Sequence, residues 1–139
     1  MSLTAYQAIG TGFEGVFSRR AVTPEQKERI LSLIEFFAPV LQSTRPGQGA
    51  SDVLSIARRE FSHFTPSQQA LLLFLRAVAS RTPLLILDEP SQGMDEAVWE
   101  MCKEFLSKEW RENPDQAVVV VSHYDDEVCP AIVCGWSTL

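Results

Sequence analysis

Two short apolar runs, Leu84-Leu85-Ile86-Leu87 and Ala117–Val121, show no alternation of polar and apolar positions. Runs of this length and uniformity predict strands buried on both faces, as in a parallel sheet. Between them the apolar spacing turns helical. Val98, Met101, Cys102, Phe105 and Leu106 share one face of a helix predicted from Asp95 to about Glu112, and Asn113-Pro114-Asp115 breaks it. Strand, helix and strand in that order predict a parallel βαβ unit. Upstream the pattern is mostly helical. Thr23-Pro24-Glu25-Gln26 offers an N-cap, a proline at N1 and a glutamine at N3, which starts a helix running to about Ala38, before Pro39. A short helix from about Asp52 to Arg59 follows the loop Arg45–Gly49, and Thr65-Pro66 opens another that runs through Ala70–Ser80. Residues 1–22, with three glycines, read as irregular, and Ile132-Val133-Cys134 reads as a last strand.

The first apolar run leads straight into Asp88-Glu89-Pro90. Proline cannot donate to a sheet ladder, so the strand stops there and both carboxylates fall at its C-terminal end, the edge where open α/β sheets bind ligands. One carboxylate can hold Mg²⁺ while the other orients a nucleophilic water, the Walker B arrangement of nucleotide hydrolysis. The bland alternative is a core strand ending in an acidic turn. The second run ends in Ser122-His123. Parallel strands deliver their C-terminal residues to one edge, so His123 is expected near Asp88 and Glu89, where an imidazole can donate to a phosphate oxygen. Its alternative is a helix cap. In Ser91-Gln92-Gly93-Met94-Asp95, Gly93 permits positive φ and Asp95 can cap the following helix.

Composition narrows the partners. The 139 residues suffice for one domain with a core, and a net charge of −6 disfavours nucleic acid or an anionic membrane surface as a general partner. Three cysteines without a CxxC suggest neither a disulfide framework nor a zinc site, which points to a reduced, intracellular, cytoplasmic setting. No basic, apolar leader opens the chain, and Ala70–Leu75, the longest apolar run, is too short to insert into a bilayer. Gly10-Thr11-Gly12-Phe13-Glu14-Gly15 fits G-x-G-x-x-G, which raises a dinucleotide-binding protein as an alternative, but a poor strand precedes it and the next helix start lies at Thr23. Trp99, Trp110 and Trp136 read as packing residues.

Taken together, these residues resemble the C-terminal part of an ATP-binding-cassette (ABC) nucleotide-binding domain. Leu84–Glu89 looks like that family's Walker B strand with its catalytic glutamate, Ser91–Asp95 like its D-loop and His123 like its switch histidine. Phe64-Thr65-Pro66-Ser67-Gln68-Gln69 sits where the family carries its Leu-Ser-Gly-Gly-Gln signature, and Arg76-Ala77 where an Arg-Ala pair ends the signature helix. The similarity is closest to the molybdenum-transport and photorepair type, with Gly12-Phe13 ahead of a Thr-Pro-x-Gln helix and an acidic stretch after Ser122-His123. The resemblance implies an α/β fold: a helical lobe, about 14–80, joined to part of a RecA-like (P-loop NTPase) parallel sheet, about 81–139, the whole chain 1–139 forming one partial domain. It implies ATP and Mg²⁺ as cofactors. Asp88 would hold the metal and Glu89 would act as base or orient the water. His123 would contact the γ-phosphate. Thr65, Ser67 and Gln68 would face the nucleotide of a partner subunit, with Ser91, Gly93 and Asp95 in the D-loop. A second nucleotide-binding domain, or a missing N-terminal half, is the implied partner.

The chain also departs from that family. Pro66 and Ser67 stand where the signature has glycines, so one N–H is missing and one Cβ limits backbone approach. No Gly-Lys pair occurs anywhere, hence no G-x-x-x-x-G-K-[ST] phosphate loop. An ATPase half-site without its own Walker A is the first expectation. A catalytically inactive truncated cassette acting as an interaction module is the second.

Overall fold

A computed structural model describes residues 3–13, 22–42 and 52–122. The chain divides into two units, Met1–Ser80 and Arg81–Leu139.

The first unit is helical: α1 (Ala5–Gly10), α2 (Pro24–Leu41), α3 (Val53–Arg58) and α4 (Pro66–Val78), with 3₁₀ turns at Thr11–Phe13 and Phe61–His63. Three of the four helices begin with the same device. Thr4, Thr23 and Thr65 each accept from the N3 amide, and Gln7, Gln26 and Gln68 each reach back to the cap amide. These reciprocal boxes satisfy two of the amide donors that every helix start leaves open. In α3, Asp52 caps by accepting from Ser55 N at 2.7 Å. The core of this unit is Ile9, Ile30, Leu33, Ile34, Phe37, Leu41, Ile56, Leu71, Leu72 and Leu75, all essentially inaccessible.

Two expectations fail here. Residues 5–13 are helical rather than irregular. Their start signal, Thr4-Ala5-Tyr6-Gln7, has the T-x-x-Q spacing read at Thr23 and Thr65, and buried Ala5, Ala8 and Ile9 supply the tertiary support so short a helix needs. Helix α2 continues past Pro39 to Leu41 instead of stopping at Ala38. Its last carbonyls have partners from elsewhere: Gln68 Nε2 donates to Val40 O at 3.1 Å and Gln42 O at 3.0 Å, and Arg59 Nη1 donates to Leu41 O at 3.0 Å. Those bonds and the burial of Leu41 offset the one helical bond a proline removes.

The second unit contains β1 (Leu84–Asp88), α5 (Glu96–Glu112) and β2 (Ala117–Val121), and the strands pair in parallel, Leu84 against Ala117 through Asp88 against Val121. This is the βαβ unit the pattern predicts. The burial is not as predicted. Leu85 and Leu87 are buried, whereas Leu84 and Ile86 are 54% and 61% exposed. Among the described residues one crossover helix accompanies the two strands, and a single helix covers one face of a sheet, so the unalternating run is buried on one side there. The predicted strand at 132–134 and the loop at 45–49 lie outside the described residues.

Candidate functional site at the strand ends

The parallel register brings Asp88 and Ser122 to the same edge, and Glu89 follows directly. Asp88 closes β1 and is exposed. Glu89 is half-buried and adopts φ 44, one of two non-glycine residues with positive φ among those described. Its amide donates to Val121 O at 2.7 Å, and its carbonyl accepts from Gln92 N at 3.1 Å. Pro90 is the second residue of the turn this closes, where its fixed φ is favoured. The sheet bond and the turn together hold Glu89 in a conformation that costs a non-glycine residue on the order of 1–3 kcal/mol, strain that concentrates at functional sites.

The following loop contains a second turn, Met94 N to Ser91 O at 3.0 Å, with Gly93 at φ 83 in its third position, as a type II turn requires. Asp95 occupies the N-cap of α5, and its carbonyl accepts from Trp99 N at 3.0 Å. The expectation that its side chain caps the helix is corrected, since that carboxylate makes no cap hydrogen bond. Asp88, Glu89, Ser91, Gly93 and Asp95 therefore form one continuous strand-to-helix edge. His123 lies outside the described residues.

Thr65, Ser67 and Gln68 belong to the other unit and start α4. The Thr65 hydroxyl accepts from Gln68 N at 3.2 Å, and Gln68 Oε1 accepts from Thr65 N at 2.9 Å. Both Nε2 bonds of the buried Gln68 amide are directed at the end of α2, so this side chain fastens α4 to α2. Arg59, which the sequence did not single out, supports the same loop, its guanidinium 4.9 Å from the ring centre of Phe64, the residue before the cap. Arg29 makes the opposite tie, from α2 to the Val78 and Ala79 carbonyls at the end of α4, at 3.1 and 3.4 Å.

Among the described residues no three His, Cys, Asp or Glu side chains gather into a metal cluster, and no helix is long and apolar enough to cross a membrane. Asp88 with Glu89 fits Mg²⁺ only in the mode where one or two carboxylates hold the ion and water and phosphate complete its shell. The dinucleotide alternative is overturned. Gly10 lies within α1, and Gly12 is packed so closely on the Arg76 carbonyl that a Cβ could not be placed there. Gly12 serves close packing on α4, and among the described residues no strand precedes the two glycines. Two open grooves of about 620 and 560 Å³ lie in the first unit, the former along α2 and α3, the latter lined by Leu3, Phe61, Leu73 and Arg76 among others; neither includes a predicted site residue.

No family model matches the chain. It is similar to an uncharacterized ABC transporter ATP-binding protein of Schizosaccharomyces pombe, 28% identical over 94% of this chain and 23% of that protein. It is also similar to the molybdate import ATP-binding protein MolC of Haemophilus influenzae, 26% identical over 91% of this chain and 52% of MolC. The hemin import ATP-binding protein HmuV of Streptomyces coelicolor is 36% identical over 52% of the chain. The chain thus spans about a quarter to about half the length of these relatives. Among solved structures, the dimeric ABC transporter cassette MJ0796 superposes with a TM-score of 0.62, at 22% identity, over 90% of this chain and 48% of that one. The same cassette has been solved in a post-hydrolysis state bound to ADP and Pi. The fold is the RecA-like α/β fold of the solved ABC cassettes it superposes on, and relatives covering most of the chain are ABC transporter ATP-binding proteins.

Proposed function

We propose that this chain carries the hydrolysis half of an ABC-type ATP site and works together with polypeptide that supplies the phosphate loop. The observation that carries the reading is the strand-end geometry: Asp88 at the C-terminal edge of a parallel pair, and Glu89 held at φ 44 beside it by the Val121 carbonyl. Asp88 would hold Mg²⁺, which neutralises charge on the transferred phosphate. Glu89 would take a proton from the attacking water or orient it. His123 would donate to the γ-phosphate. The start of α4 would meet the nucleotide of a second cassette through Ser67 and the Thr65 loop rather than through the Gln68 side chain. The likeness to MolC supports the molybdenum-transport kinship, and the hemin relative shows that the same core serves other cargo, so no cargo is assigned.

A second reading, a cassette-derived interaction module without hydrolysis, is favoured by one feature. The Thr65 hydroxyl and Gln68 amide are occupied by their own capping box, and Pro66 has no N–H, so the α4 start offers few donors to a phosphate.

The test is Mg-ATP turnover by the chain alone and with a Walker A-bearing half. The chain alone is expected to hydrolyse negligibly. In the completed assembly Glu89→Gln should leave ATP binding nearly intact and lower turnover by about two to four orders of magnitude. Turnover unchanged by Glu89→Gln would overturn the assignment, and no ATP binding by the assembly would favour the module.

A further inference from the structure

The loop from Glu89 to α5 is held at its two ends by different means. At its start the Glu89 amide is bonded to Val121 O across the sheet, and the Glu89–Gln92 turn follows. At its end stands Met94, whose amide donates to Ser91 O at 3.0 Å. The Met94 side chain meets a residue eight positions on: the Cys102 thiol donates to its thioether sulfur, with 3.8 Å between the two sulfurs. Cys102 is inaccessible within α5, and Met94 is half-buried. A buried thiol thus fastens the end of the loop to the body of the helix. The Asp95 carboxylate, at the N-cap between them, makes no cap hydrogen bond, so the sulfur pair is the side-chain tie that the helix start itself does not supply.

The two sulfurs differ in reactivity. A cysteine reacts as its thiolate, and burial pushes the Cys102 thiol up to about 12, so at neutral pH it stays a protonated donor. A thioether has no proton to lose, and its lone pair meets oxidants at any pH. We propose that Met94 is an oxidation site: a peroxide transfers one oxygen to its sulfur, and the sulfoxide releases the loop that carries Glu89 from α5. The sulfur lone pair attacks one peroxide oxygen, and an S–O bond forms as the O–O bond breaks. The proton of the transferred oxygen passes to the leaving oxygen, which departs as water. Sulfur is oxidised by two electrons and the peroxide is reduced by two. The added oxygen either stands between the two sulfurs, where a separation of 3.8 Å leaves no room for it, or turns to water and draws the side chain out. Either way the contact with Cys102 is lost, and a polar group replaces an apolar one beside a buried residue. The tie therefore links the order of the strand-end edge to oxidant, whether or not that edge binds nucleotide.

The test treats the full 139-residue chain, carrying Met101→Leu so that the other helix methionine is silent, with hydrogen peroxide. Mass spectrometry should find one added oxygen on Met94 and an unmodified thiol at Cys102. Amide hydrogen exchange, read by NMR, should then quicken at Gln92 and Met94 by about three- to tenfold, the effect of losing one weak bond on a local opening. The Glu89 amide, held by the sheet, should keep its rate. Methionine sulfoxide reductases should restore the original rates. Met94→Leu, which keeps the apolar bulk, should not respond to peroxide. Cys102→Ala removes the donor, so its loop should exchange faster before any peroxide and gain little from it. Cys102→Ser keeps a donor and should respond as the parent does, which guards against a failure of the alanine variant to fold. Met94 left unoxidised at a dose that oxidises free methionine overturns the proposal. So does oxidation of Cys102 ahead of Met94, or a Met94 sulfoxide whose loop exchanges at the parental rate. Equal quickening in peroxide-treated Met94→Leu overturns it as well, since the cause would then lie elsewhere.

Discussion

The Glu89 amide donates to the Val121 carbonyl at 2.7 Å while Glu89 itself stands at φ 44. The sheet thus reaches one bond past the last residue of β1, and the chain then turns sharply on a residue type that disfavours that conformation. A carboxylate-bearing residue held this way is retained against its local preference. Glu89→Gly should remove the backbone penalty and raise stability by up to about 1 kcal/mol, whereas β-branched Glu89→Val should lower it by about 1–2 kcal/mol. Urea unfolding of the three proteins checks the order, and a valine variant as stable as the parent would show that φ 44 carries no strain.

Gln68 joins two helices through one amide. Gln68→Glu keeps the shape and the acceptor toward Thr65 N but loses both donors to Val40 O and Gln42 O. It should cost about 2–4 kcal/mol, more than Gln26→Glu, whose box is exposed and local. Chemical denaturation, followed by helix signal, distinguishes them.

Gly12 leaves no room for a side chain against the Arg76 carbonyl. Because the obstacle is backbone, Gly12→Ala must separate α4 from the Thr11–Phe13 turn. A loss of at least about 1–3 kcal/mol follows, the range for overpacking. Gly10→Ala meets only ordinary contacts, with Ile30 and Val22 side chains, and should cost far less. Thermal melts of the two variants make the comparison.

Cys102 is inaccessible, and burial pushes its thiol from 9.0 up to about 12. The folded state keeps the proton that the unfolded state gives up. Stability from this group is therefore fully present below pH about 9 and is lost as pH rises from there toward 12. Melts of the parent and Cys102→Ala between pH 7 and 11 should converge at high pH. In the native state at pH 8, Cys102 should resist thiol reagents.

The sequence by itself determined what neighbouring residues decide. Threonine caps with glutamine three residues on, proline at N1 and helical apolar spacing locate α2, α4 and α5 to within a few residues. Unalternating β-rich runs locate β1 and β2 at their observed bounds, and Gly93 announces its turn. The motif around Asp88-Glu89 was legible because a strand end and the carboxylates after it are local facts. Only the tertiary structure decided the rest. Helix α2 outlasts Pro39 because Gln68 and Arg59, distant in sequence, take its last carbonyls. Gln68 proves to be a tie between helices because the end of α2 lies where its amide points. Glu89 turns left-handed because Val121, across the sheet, holds its amide. The exposure of Leu84 and Ile86 among the described residues was hidden for the same reason: an apolar run states what a strand can bury, and which face finds cover depends on how many other elements reach the sheet.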